Sequence, residues 1–155
     1  MAAKPTYEQG QLHLQVYDLR REARLRQARD WFQQNFKAQS IDEIERLAPT
    51  GSEKSTFVGM VLGYWEQACT LLNYGLLHEG LFFETSGEFY GVYDQIKNVL
   101  PEFREKMGDK YMMSNLEKAA KRFESWSNKR SPGSIDKMRE FMKGETTPKA
   151  KAARG

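Results

Sequence analysis

Apolar residues recur along this chain at intervals of three and four and do not alternate in twos over the length of a strand, so the pattern predicts an all-α protein. The first periodic stretch runs from about Glu8 to Lys37, has no proline, has no glycine beyond Gly10, and is rich in Gln, Leu, Arg and Ala. These are good helix formers, and the stretch reads as one long helix. Its apolar positions lie on two arcs: Leu12, Val16, Leu19 and Ala23 on one, Leu25, Ala28, Phe32 and Phe36 on the other. The buried face is therefore expected to shift midway. A helix of about thirty residues is about 45 Å long, a length that suits packing on a second copy of the chain.

Local punctuation divides the rest. Ser40 with Glu43 forms a capping-box pattern ahead of a short helix, Ile41 to Leu47, which Pro49 to Gly51 end. Ser52 is placed to cap the next helix, which should run to about Tyr74 and stop at a left-handed Gly75. This helix is apolar on two adjacent faces, Phe57, Val61, Tyr64, Ala68 and Leu71 beside Val58, Leu62, Trp65, Cys69 and Leu72, so it is the expected centre of the core. A short helix or helical turn is expected over Leu76 to Thr85, a helix over Gly87 to Val99, and a helical segment from Pro101 to Met107. A longer one is expected from Lys110 to Asn128, and a last one from Ile135 to Lys143. The chain is thus read as a bundle of five to seven helices over residues 1–143, followed by a disordered basic tail over residues 144–155.

Composition narrows the setting. At 155 residues with 39% hydrophobic and 29% charged side chains, the chain is long enough to bury an independent core. Cys69 is its one cysteine, which excludes an intramolecular disulfide and suits a reducing compartment. The segment from Met1 to Gly10 lacks the apolar stretch of a secretion signal, and Phe57 to Trp65 is far too short to span a bilayer, so the expected location is the cytoplasm, without membrane contact. The net charge of +3 is uneven: seven basic and four acidic residues in 1–37, nine and fourteen in 38–128, eight and three in 129–155. Basic ends attract nucleic acid, but they also serve solubility.

The candidate chemistry is sparse. Arg20, Arg21, Arg24, Arg26 and Arg29 are candidate phosphate contacts, although at about 100° per residue they spread around the helix, and Asp18, Glu22 and Asp30 are spaced to pair with them. Gly59 with Gly63, and Gly87 with Gly91, form two Gly-x-x-x-Gly spacings that point to close helix packing. Glu66 stands on the apolar central helix, where a carboxylate needs a partner, and Arg104 is the candidate. If functional, Glu66 would be a general base in a pocket with a second polar group. His13 and His78 lack the spacing of a metal motif, Glu79, Glu84 and Glu88 read as a solvated face, and no phosphate loop, dinucleotide fingerprint or nucleophile elbow is present, so neither cofactor nor metal is expected.

The stretch from Val61 to Arg104 resembles a family of small helical bacterial proteins known only as a domain of unknown function. The residues that carry it are Leu62 and Tyr64 before Glu66, then Gly75, Leu76 and Leu77 with Glu79, then Tyr93, and last Leu100, Pro101 and Arg104. His78 stands where the family usually has Asp. The resemblance implies a helical bundle and a bacterial or phage setting, and singles out Glu66 and Arg104.

The function expected from all this is a non-catalytic interaction or scaffold module, with another protein or a second copy as partner. The first alternative is a nucleic-acid-associated protein using the first helix and the basic tail, and the second is an enzyme with a pocket around Glu66.

Overall fold

The structure, a computed structural model, describes residues 3–145. Among these the chain is all helical, with nine helices where five to seven were expected: α1 (Tyr7–Arg20), α2 (Ala23–Asn35), α3 (Ile41–Leu47), α4 (Glu53–Asn73), α5 (Glu79–Thr85), α6 (Glu88–Ile96), α7 (Leu100–Met107), α8 (Ser114–Arg130) and α9 (Ser134–Glu145). Residues 146–155, most of the expected tail, lie outside the described residues. Backbone contacts gather the chain into two compact units that divide after Ala120, within α8.

The expected long first helix is two helices. Arg21 ends α1 in helical conformation, and Glu22 then turns extended, at φ −54° and ψ 136°, to become the cap of α2. Its carboxylate accepts from the amides of Arg24 at 3.0 Å and Leu25 at 2.8 Å, two of the orphan donors every helix start exposes. The carbonyls ending α1 are met in turn by α2, through Arg26 Nη2 to Arg21 O at 3.0 Å and Arg29 Nη1 to Arg20 O at 3.1 Å. Helix propensity is unbroken here, but the two apolar arcs cannot both be buried by one straight rod. A bend satisfies both, and its loose ends are closed by charged side chains rather than by Gly or Pro.

Where the capping signals are local, the elements fall as expected. The Ser40 hydroxyl accepts from the Glu43 amide at 3.2 Å to start α3, and the Ser52 hydroxyl accepts from the Ser55 amide at 3.2 Å to start α4. Gly75 follows α4 with φ +77°, and Gly108 caps α7 with φ +65°, both in the left-handed region where a glycine costs least.

In the unit up to Ala120, α4 is the central helix and α2 packs along it. Phe57, Val61, Trp65, Ala68, Cys69 and Leu72 of α4 are buried, and Trp65 is 1% exposed. Phe32 of α2 and Phe36, which caps its end, stack at 4.5 Å, while Phe89 of α6 meets Phe82 of α5 at 5.2 Å and Trp65 at 6.4 Å. In the second unit the Trp126 ring meets that of Phe123 at 5.7 Å, tilted by 31°, and lies under the Arg130 guanidinium at 4.6 Å. No helix among the described residues is long and apolar enough to cross a membrane.

Candidate functional site

Helix α1 differs from its neighbours in what it buries. Val16 is its buried residue, at 9% exposure, and the side chains near it border a cleft against α4 and the end of α5. The cleft holds about 10 Å³, room for one water molecule or one ligand oxygen. His13, Tyr17 and Arg20 of α1 line it, with Tyr64 and Trp65 of α4 and Ser86, which ends α5. Tyr17 is 46% exposed, so the cleft reaches solvent along this edge.

These walls are polar in specific ways. The Tyr64 hydroxyl donates to the Val16 carbonyl at 2.5 Å, and burial pushes its pKa up to about 12, so it is a fixed donor. His13 Nε2 lies 3.2 Å from the Thr85 hydroxyl, and burial lowers its pKa, which favours the neutral imidazole. The Trp65 indole Nε1 is buried and has no hydrogen-bond partner among the described residues. Ser86 is a buried polar residue, at 9% exposure. The Arg20 guanidinium stacks over the Tyr17 ring at 5.1 Å and lies 6.0 Å from that of Trp65.

Beside the cleft, Arg29 and Glu88 form a two-pronged ion pair, Nε to Oε1 at 2.8 Å and Nη2 to Oε2 at 2.5 Å, with side chains 15% and 16% exposed. Hydrogen bonding to Glu88 raises the Arg29 pKa above its already high ordinary value. Glu88 is thus not part of a solvated acidic face. Its charge is matched by Arg29, and Arg20 is the cation left on the cleft wall without an acidic partner among the described residues.

The other expected phosphate contacts are divided. Arg24 pairs with Glu53 at 3.2 Å and lies 4.8 Å over the Phe57 ring, and Arg26 holds the end of α1. Arg21 lies 5.9 Å over the Tyr17 ring. The five arginines therefore do not make one phosphate-facing row.

Glu66 and Arg104 are not paired with each other, which corrects the expected contact. Glu66 accepts from the backbone amides of Asn115 at 3.1 Å and Leu116 at 2.8 Å, capping α8 from another helix. Met113, just before α8, has φ +56°, and its side chain offers no capping oxygen, so the helix start depends on the distant carboxylate. Arg104 donates from Nε to the Met112 carbonyl at 2.9 Å and from Nη2 to Glu117 at 3.4 Å. The two residues grip the same short segment separately, since both Glu66 oxygens are already engaged by amides.

The first glycine pair is also corrected. Gly59 and Gly63 lie on the exposed side of α4, and a Cβ at either would meet nothing within 4 Å, so no helix among the described residues crosses them closely. Gly87 caps α6 in helical conformation, and Gly91 is half-buried inside that helix. Among the described residues no group of three or more His, Cys, Asp or Glu is placed to hold a metal ion.

The sequence pattern of a domain of unknown function, DUF4760, matches residues 5–123, a span that takes in α1 to α7, most of α8 and every wall of the cleft. The chain belongs to the DUF4760 family. Membership covers more of the chain than the resemblance over Val61 to Arg104 did, and attaches no reaction to it. No curated protein and no solved structure matches the chain. The cleft of this DUF4760 chain was missed by sequence reasoning because its walls come from three helices far apart in the chain. The one signal was Trp65, a buried indole whose N–H needs an acceptor that its apolar helix face does not supply.

Proposed function

We propose that this DUF4760 chain is a non-catalytic interaction module whose partner is a second copy, docked through α1. One observation carries the reading: α1 buries little while exposing large apolar side chains, Tyr7 at 77%, Leu14 at 65%, Tyr17 at 46% and Leu19 at 61%. Gln9 Nε2 donates to the Gly75 carbonyl at 3.3 Å, which brings exposed Tyr74 and Leu76 beside the start of the same helix. Neighbouring exposed apolar residues of this size favour a protein partner over solvent. A two-fold contact of a helix with its own copy covers both faces at once and closes on itself.

The nucleic-acid alternative is weakened because Arg24, Arg26 and Arg29 are engaged within the chain. The general-base alternative is weakened because both oxygens of Glu66 hold amides.

The test is the solution mass by light scattering at low and high salt, with and without random-sequence duplex DNA. The expected result is a dimer at both salt concentrations that ignores DNA and becomes monomeric on Leu14→Glu. A monomer throughout the micromolar range overturns the reading. DNA binding that disappears at high salt transfers the function to the basic ends instead.

A further inference from the structure

We propose that the cleft between α1, α4 and α5 binds the carboxylate end of a small organic acid, with the Arg20 guanidinium, the Trp65 indole N–H and the Ser86 hydroxyl as its donors. The cleft shares Tyr17 with the face of α1 proposed to pair, but its test reads the Trp65 signal and not the solution mass.

Two buried groups on the cleft wall point to a ligand. Trp65 is 1% exposed, and its Nε1 has no partner among the described residues. A buried donor left unmatched is costly, so a native fold that keeps one calls for an acceptor at that place. Ser86, at 9% exposure, lines the same cleft, and its hydroxyl makes no side-chain hydrogen bond among the described residues. Both residues line the same small volume, which suits an acceptor oxygen.

Charge and shape narrow the class. Around the cleft the charged groups are Arg20, Arg29 and Glu88, and the last two neutralise each other through a two-pronged ion pair. The remainder is a single positive charge at Arg20, held against aromatic rings rather than against a carboxylate. His13 is kept neutral by burial and does not add to it. A lone guanidinium beside neutral donors fits one negative charge on a planar group. The volume of about 10 Å³ admits one oxygen, which a carboxylate can insert edge-on. A tetrahedral phosphate would leave its other oxygens outside these donors. The half-exposed Tyr17 ring at the mouth and the apolar Val16 and Phe82 in the wall suit a ligand whose remaining part is a short hydrocarbon.

The experiment follows the three indole N–H signals of Trp31, Trp65 and Trp126 by ¹⁵N–¹H NMR on the full chain, with Trp31→Phe and Trp126→Phe identifying the Trp65 signal. Sodium acetate and sodium propionate are titrated at constant ionic strength, beside sodium chloride and inorganic phosphate. The expected result is a saturable shift of the Trp65 signal with acetate and a tighter one with propionate, while the Trp126 signal stays in place. Arg20→Gln should weaken binding about tenfold or more, the loss of one hydrogen bond to a charged group, and Ser86→Ala should weaken it several-fold. Because Arg20 is half-exposed, an unchanged Trp126 signal and an unchanged thermal midpoint certify that the Arg20→Gln variant is folded. A Trp65 signal indifferent to both carboxylates overturns the proposal and leaves the cleft to a water molecule. An equal response to chloride or phosphate overturns the choice of carboxylate.

Discussion

Arg29 of α2 and Glu88 of α6 meet fork to fork, at 2.8 and 2.5 Å, across 59 residues of sequence. Each side chain is about 15% exposed, so neither charge can recover its hydration if the other is removed. Removing one member of such a pair strands a charge, which for buried pairs costs about 3–5 kcal/mol. Glu88→Gln should therefore destabilise the protein by about 2–3 kcal/mol in urea unfolding, somewhat less than the fully buried case. The double variant Arg29→Met with Glu88→Leu should lose less than the sum of the single changes. A cost below about 0.5 kcal/mol for Glu88→Gln would reduce the pair to an ordinary surface contact.

Glu66 makes a second long-range prediction. Its oxygens hold the Asn115 and Leu116 amides, so Glu66→Ala removes the cap of α8 and is expected to cost about 1–3 kcal/mol. The loss should appear in hydrogen exchange as faster exchange of those two amides. If they stay protected, Glu66 has another task.

Both contacts mark what the sequence could reveal. Ser52, Ser40, Gly75 and Gly108 act within a few residues of themselves, and the limits of α3 and α4 were legible for that reason. The burial of Phe57, Val61, Trp65 and Leu72 was legible too, since the helical period fixes which residues share a face. Glu66 stood out as a carboxylate among apolar residues, yet its partners are backbone amides about 50 residues away, which have no side-chain signature. The break at Arg21 and Glu22 was hidden because both are acceptable in a helix and Glu is not a usual cap.

The exposed glycines of α4 predict a gain. A methyl group at Gly59 or Gly63 meets open space, and replacing glycine by alanine in a helix interior is worth about 1 kcal/mol. Gly59→Ala and Gly63→Ala should each raise the thermal midpoint by about 2–4 °C in circular dichroism. Lowered midpoints would show that another molecule or copy approaches this side of α4 closely.

His13 predicts a pH dependence with a definite sign. Its folded-state pKa is depressed by burial, so the folded form prefers the neutral ring. The corresponding stability is fully present above the unfolded value of about 6.5 and falls as the pH drops through the lower folded value. Urea midpoints measured from pH 7.5 down to 5 should decline, and His13→Gln should flatten this decline. Below that range Glu22 and Glu45 take over, since hydrogen bonds to backbone amides depress both carboxyls and their contribution is lost as they protonate.

The end of α1 is held from outside itself: Arg29 grips the Arg20 carbonyl with one nitrogen and Glu88 with the other two. The backbone that presents the cleft's unmatched cation is therefore clasped by an ion pair that never enters the cleft. Occupancy and folding then share a linkage. A ligand on Arg20 should make the clasp harder to open, and loosening the clasp should weaken the ligand by the same factor.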